Sequence, residues 1–208
     1  MTTMMPKRLK CPNCGASVQA HVLMSTNFHG MTTDLRRLTT GADPWQYMVH
    51  SCQTCGFTGS EPEFTGNVSR EVAALIAERM LPHLRDETVP TDTRWEFAAM
   101  IAEWRKADPE TIAQMYHNAA WCAASTEREQ YFRRRAADWL EQSLEGKVSD
   151  RSVVLYLIGE HYRRCGEKAV ADTWFDAAIA EAGNDPKQER LKALALQQKA
   201  NPQDMISS

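Results

Sequence analysis

The chain has 208 residues, of which 43% are hydrophobic and 25% charged, with a formal net charge of −3. That is the balance of a soluble globular protein with room for one domain, or a small one and a medium one. It gives the whole chain no electrostatic pull toward nucleic acid or an anionic membrane, and its most apolar run, Val153 to Ile158, is far short of the ~20 residues that span a bilayer.

No apolar stretch follows the opening Met-Thr-Thr-Met-Met-Pro-Lys-Arg, so no secretory signal is expected. The expected compartment is the cytoplasm, where thiols stay reduced. Four of the six cysteines form two Cys-x-x-Cys pairs within the first 55 residues. Cys122 and Cys165 stand alone in helical patterns and read as small apolar residues.

Residues 1–66 are rich in Thr, Gly, Ser and Asn around short apolar stretches such as Val18–Met24 and Tyr47–His50, which is the grammar of short strands and loops. From Asn67 the composition turns to Ala, Glu, Arg, Leu and Trp, placing a domain boundary near Gly66. A first helix is expected from about Val68 to Leu81, since Val68, Val72, Leu75, Ile76 and Met80 share one face. Pro82 and Pro90 are expected to bracket a linker, giving a helix-and-linker segment over 67–90.

An α-helical domain follows over 91–201. Thr93–Glu96 reads as a capping box opening a helix to about Ala107. Asp108-Pro109 starts the next, with Asp as cap and Pro at the first helical position, running to about Ala124. Thr126–Glu129 caps another that stops at Gly146; Ser149 opens a fifth ending at Gly166; a sixth runs to about Ala182. Asp185-Pro186 begins the last, to about Ala200, before a tail over 202–208 expected to be disordered. Short connections between such helices imply antiparallel neighbours. Within 152–185, Leu155, Ile158, Gly159, Tyr162, Ala171, Phe175 and Ala178 follow the tetratricopeptide alternation of large and small residues. Gly159 and Ala171 would let two helices approach, with Tyr162 and Phe175 filling the space beside them. The fold class expected is therefore α+β, mostly α: a small zinc ribbon followed by an antiparallel tetratricopeptide-like helical domain.

Cys11-Pro-Asn-Cys14-Gly15 and Cys52-Gln-Thr-Cys55-Gly56 carry the clearest chemistry. Thiolates three residues apart share one ion when the chain turns tightly, and glycine after the second cysteine allows the positive φ that points amides at sulfur. Two such knuckles separated by 37 residues (15 to 51) form a ribbon with four thiolate ligands, Cys11, Cys14, Cys52 and Cys55. Zinc is the expected metal, with iron the alternative because a rubredoxin-type site uses the same cysteine set. Four thiolates close the coordination sphere, so the metal is expected to be structural, supplying folding free energy to a module too small to fold alone. His21, His29 and His50 lie in the ribbon but are not expected to be ligands.

Three further features are candidates. The Thr-rich stretch 25–44, with Phe28, Arg36 and Arg37 and followed by Trp45, has the length of a binding loop. Arg133-Arg134-Arg135 and Arg163-Arg164 could line a groove for a carboxylate or phosphate, so Arg133, Arg134, Arg163, Arg164 and Tyr162 are the candidate partner-binding residues. Neighbouring Glu127, Glu129, Glu141, Glu145 and Glu160 favour the plainer reading of a salt-bridged face. Trp95, Trp104, Trp121, Trp139 and Trp174 read as helix packing. No catalytic motif is present, so an enzyme is not expected.

The order Cys-Pro-x-Cys-Gly, a long loop, Gly41-Ala-Asp-Pro44-Trp-Gln-Tyr47-x-Val49 and Cys-x-x-Cys-Gly-Phe57 resembles a family of uncharacterised bacterial proteins. So does Leu155-Tyr-Leu-Ile-Gly-Glu-His-Tyr-Arg-Arg164 followed by Thr173-Trp-Phe175. Gln53 stands where family members commonly carry proline. The resemblance implies a metal ribbon joined to a tetratricopeptide-like domain in bacterial cytoplasm, and no activity.

The function expected is a non-enzymatic, zinc-binding interaction module for a protein or peptide partner, without a membrane role. Nucleic-acid binding ranks second. Residues 1–66 hold five Lys/Arg (7, 8, 10, 36, 37) against four Asp/Glu (34, 43, 61, 63), and a zinc tetrathiolate adds two negative charges. A redox role, through iron or thiol-linked metal release, ranks third.

Overall fold

The computed structural model describes residues 3–86 and 89–206. The protein is mostly helical with a small N-terminal β part. Strands β1 (Thr3–Lys10) and β2 (Ser17–Ser25) form an antiparallel hairpin, with Lys10 opposite Ser17, Arg8 opposite Gln19 and Pro6 opposite His21. Its burial alternates along β2: Val18 and Ala20 face the core, while Ser17, Gln19 and His21 face out. Strands β3 (Phe28–Met31) and β4 (Arg37–Thr39) form a second hairpin, and β5 (His50–Ser51) and β6 (Thr58–Gly59) a third.

The helices are α1 (Arg70–Arg79), α2 (Leu81–Asp86), α3 (Thr91–Trp104), α4 (Pro109–Cys122), α5 (Thr126–Ser143), α6 (Arg151–Arg164), α7 (Lys168–Ala182) and α8 (Glu189–Ala200). From α3 to α8 each packs on the next, as short connections require.

Several helix starts differ from expectation. Pro82 sits inside α2, in its first turn, where a missing amide costs no hydrogen bond. The expected linker is thus partly helical, and residues 87–88 lie outside the described residues. The capping box at Thr93 is not used: α3 begins at Thr91, behind Pro90, which supplies no side-chain cap. Asp108 caps α4 as expected, its carboxylate accepting from the amides of Glu110 and Thr111. Ser125 and Asp150, each one residue from the expected cap, accept from the amides of Arg128 and Val153. Asp185 accepts from the Lys187 amide in a turn, and α8 starts four residues later, at Glu189.

Gly159 makes the close approach anticipated for it. A Cβ there would lie 2.8 Å from Phe175 Cδ1 and Cε1 and 3.2 Å from the Ala171 carbonyl. The absence of a side chain is what lets α6 and α7 meet around the buried Phe175 ring.

The boundary near Gly66 does not separate two cores. Leu9, Val18, Ala20, Phe57 and Phe64 of the β part form one buried cluster with Val72 and Ile76 of α1, Leu84 of α2 and Phe97 and Ile101 of α3. The tail is likewise not free over 202–206. Met205 bridges Thr32, the Ile206 amide donates to the Met31 carbonyl at 3.0 Å, and Asp204 pairs with Arg163 at 2.8 Å.

Candidate metal centre

Each cysteine pair sits on a tight turn whose backbone is closed by two hydrogen bonds. In the first, the Gly15 amide donates to the Cys11 carbonyl at 2.9 Å and the Cys11 amide to the Ala16 carbonyl at 2.9 Å. In the second, Gly56 donates to Cys52 at 2.8 Å and Cys52 to Phe57 at 2.7 Å. Gly15 (φ 74°) and Gly56 (φ 85°) adopt the left-handed conformation that glycine was expected to supply. Gly56 has a second role: a Cβ there would lie 2.8 Å from the backbone nitrogen of Leu81, so the second knuckle rests directly on the start of α2.

The turns face one another. The sulfurs of Cys11, Cys14, Cys52 and Cys55 all lie within 4.8 Å of one another, with Cys11–Cys55 and Cys14–Cys52 both at 3.6 Å. A tetrahedron with metal–sulfur bonds of about 2.3 Å has edges of about 3.8 Å, so the cluster has the dimensions of a tetrathiolate site. Cys11 and Cys52 are buried, Cys55 half-buried and Cys14 exposed.

Without a cation these thiols are in an awkward place. Burial pushes the Cys11 thiol up to about 11, against amide hydrogen bonds from Cys14 and Asn13, and pushes Cys55 up further. Burial opposes ionisation of Cys52 too, but the amides of Cys55 and Thr54 and the neighbouring thiols outweigh it and bring that thiol below its usual value. A divalent cation resolves the conflict by replacing the protons. The residues therefore fit a metal ion: four soft donors at tetrahedral spacing, with backbone amides turned to the sulfurs. Among the described residues, the cluster consists of these four cysteines.

The other candidate residues fall differently. Arg133 is 2% exposed and donates to Asp34 at 2.9 Å and to Glu129 at 2.7 Å, so it is an internal ion-pair partner and presents no docking surface. Arg163 and Arg164 clamp the fully buried Glu160 at 2.8 and 2.9 Å, and Arg164 also lies 3.6 Å from Asp34. Their charge is neutralised inside the fold. Arg134 is exposed and pairs with Glu167 at 3.0 Å. Tyr162 donates to Glu141 at 2.8 Å. The face is salt-bridged, as the neighbouring glutamates suggested.

What Arg133 and Arg164 hold is the 25–44 loop. Its hairpin tip inserts Thr33 (0% exposed) and Asp34 (1%) among α4, α5 and α6. Asp34 accepts from Trp121 Nε1 at 2.9 Å, Arg133 at 2.9 Å and His117 Nε2 at 3.4 Å; the Tyr156 hydroxyl donates to the Thr33 carbonyl at 2.7 Å. Burial by itself would raise the Asp34 carboxyl, but the hydrogen bond from His117 and the guanidinium groups hold it well below the usual carboxylate range. His117 itself stays neutral, because its burial and the two arginines outweigh the pull of the carboxylate. His161 packs edge-on to it at 4.5 Å, and neither of its ring nitrogens has a partner among the described residues. The sequence offered one sign of this hub: Glu160-His161 falls within the apolar register of Tyr156 and Ile158, and a charge there needs a buried partner.

The fold and the cysteine cluster define a mostly helical protein with a candidate metal-binding β module. Residues 4–201 match the family described as "uncharacterized protein conserved in bacteria" (DUF2225), and the chain belongs to that family. Comparison with curated proteins and with solved structures gives no match.

Proposed function

We propose that this chain is a non-enzymatic, zinc-binding protein-interaction module of the bacterial cytoplasm. The observation that carries the metal reading is the spacing of the four sulfurs, all within 4.8 Å. Four thiolates leave no open coordination position for water or substrate, which favours a structural ion. Zinc suits four thiolates on a small β module fused to helices, and iron is the competing occupant.

The interaction reading draws support from the surface beside the metal module. A cleft of about 720 Å³ is lined by Leu23, Phe28, Trp45, Met48, Met115 and Trp121. Phe28 and Met48 are 48% and 38% exposed, and Met24, next to Leu23 on β2, is 58% exposed. Large apolar side chains clustered at a concavity are the usual mark of a site that receives a partner's apolar residue. The tetratricopeptide-like helices serve in this reading as the frame that holds the cleft, because their arginines are already paired internally.

Metal content by mass spectrometry on protein purified without added metal tests the first half. About one zinc per wild-type chain, lost in Cys52→Ser, is expected; about one iron would move electron transfer to the front. For the second half, wild-type and Met48→Glu chains are used as bait in extracts of the native host. A partner captured by the wild type and lost with Met48→Glu is expected; equal capture by both removes the cleft from the account.

A further inference from the structure

A second cleft, of about 430 Å³, lies between the outward face of β2, the Pro44–Tyr47 turn, the second cysteine knuckle and α3. Its lining includes Arg94, His21, His50, Ser51, Gln53 and Thr54, and no carboxylate. Its size falls in the range of small-molecule sites, and Val18 and Val49 give it apolar wall as well.

Arg94 is the informative residue. Its guanidinium is held by the backbone: one nitrogen donates to the Val49 carbonyl at 3.3 Å, the other to the Gln46 carbonyl at 3.4 Å and the Thr91 hydroxyl at 3.1 Å. Nε is buried without a hydrogen-bond partner, and no carboxylate among the described residues pairs with the group. Arg133, Arg135, Arg163 and Arg164 are all neutralised by a glutamate or aspartate. A part-buried cation fixed in place with no counter-charge is costly unless something negative arrives.

The surroundings suit an anion. Arg8 and Lys10 stand opposite Gln19 and Ser17 in the β1–β2 register, so they share the outward face that carries His21. Both are exposed. The Ser51 hydroxyl lines the cleft, 3.0 Å from the Thr58 hydroxyl, and a rotatable hydroxyl there offers a further polar contact.

We propose that this cleft binds a small molecule through a phosphate group, with Arg94 as the fixed cation, His21, His50 and Ser51 as further donors, and Arg8 and Lys10 drawing the anion in. A phosphate has the charge to answer several cations and enough acceptor oxygens for a convergent set of donors. The volume beyond the phosphate, beside Tyr47 and Val49, accommodates an organic portion. This assignment stands apart from the apolar docking cleft and survives or fails independently of it. The rival explanation is that the basic residues offset the negative charge of a metal-loaded tetrathiolate behind Cys52.

The test is calorimetric titration of the full, metal-loaded chain at low salt with inorganic phosphate, pyrophosphate, adenosine monophosphate, succinate and a short single-stranded RNA. Saturable one-to-one binding of a phosphate compound is expected, weakened about tenfold by Arg94→Gln, the loss of one charge-assisted contact. Because Arg94 also ties down the 44–49 segment, the exposed His21→Ala and Lys10→Ala serve as variants that touch no core. Each should weaken binding severalfold with circular dichroism and metal content unchanged. Adenosine monophosphate binding tighter than inorganic phosphate would place an organic portion in the cleft; the reverse order would make the ligand the bare anion, and either supports the site. No saturable binding, binding indifferent to all three variants, or succinate binding as well as phosphate would overturn it and favour the counter-charge explanation. RNA binding more tightly than the monophosphate would overturn the small-molecule assignment.

Discussion

Replacing Asp34 with alanine should cost far more than an exposed loop residue would. The carboxylate is 1% exposed and serves Trp121, Arg133 and His117 at 2.9, 2.9 and 3.4 Å. Its removal leaves Arg133, 2% exposed, with only Glu129, and leaves the Trp121 indole without its acceptor. Breaking a buried ion pair from one side costs about 3–5 kcal/mol. Because Arg133 and Arg164 each keep a second carboxylate, about 3 kcal/mol is the better expectation. For a protein of this size that is a fall of about 6–12 °C in Tm. Urea unfolding followed by tryptophan fluorescence, with Trp121 as a direct reporter, measures it. The charge logic also makes a sharper claim: Asp34→Ala combined with Arg133→Met should be more stable than Asp34→Ala alone, since the second change removes the stranded cation. A loss below about 1 kcal/mol for Asp34→Ala, or a double variant worse than the single one, would refute the hub as a stabilising ion-pair centre.

Three further outcomes follow from the same geometry. His117 and His161 are buried and held below the usual histidine value, so folded protein keeps both neutral while unfolded chain protonates them near pH 6.5. Their contribution is therefore complete above that pH and is lost as pH falls below it, by up to about 2.7 kcal/mol per pH unit; His161→Phe should remove roughly half of that slope in urea titrations between pH 5 and 7. Gly56→Ala meets both a positive φ and the Leu81 nitrogen at 2.8 Å, whereas Gly15→Ala meets the positive φ and only an ordinary contact with Lys10 Cε at 4.0 Å, so competitive chelation should show a much larger loss of metal affinity for Gly56→Ala. Gly159→Ala gains up to about 1 kcal/mol of helix propensity but must move Phe175, for a net destabilisation of about 1–2 kcal/mol by thermal melting; a more stable Gly159→Ala would show that α6 and α7 have slack.

How much of this was legible beforehand depended on whether the signal was local. The cysteine cluster was readable because its requirements lie within five residues: two thiols and a glycine on each turn. The Asp108 cap and the Gly159 contact were readable for the same reason. The cap at Thr93 misled because the helix starts three residues earlier, behind Pro90, and the linker at Pro82 misled because proline is tolerated in a first turn. The Arg133 cluster looked like a surface because its buried partner, Asp34, lies 99 residues away in sequence, whereas Arg163 and Arg164 are neutralised by the adjacent Glu160, whose full burial only the fold shows. Arg94 gave no signal at all, since the lack of a counter-charge is visible only once the chain is folded around it.

The long spacing between the knuckles acquires a physical reason from the hub. The chain leaves the first knuckle, carries Thr33 and Asp34 into the helices, and returns to the second, where Cys14 and Cys52 sulfurs stand 3.6 Å apart. Closing that loop costs entropy, and a metal ion and the Asp34 contacts each reduce what the other must overcome. Binding at two places that order the same segment is reciprocal: whatever factor metal adds to the docking of Asp34, docking must add to metal affinity. Asp34→Ala should therefore bind zinc about 5–150-fold more weakly than the wild type in competitive chelation, although no cysteine has changed. Tryptic cleavage after Arg36 or Arg37 should rise on chelation by a comparable factor. Equal zinc affinities in the two proteins would mean that the loop docks independently of the ribbon, and that the long spacing has no energetic link to the metal.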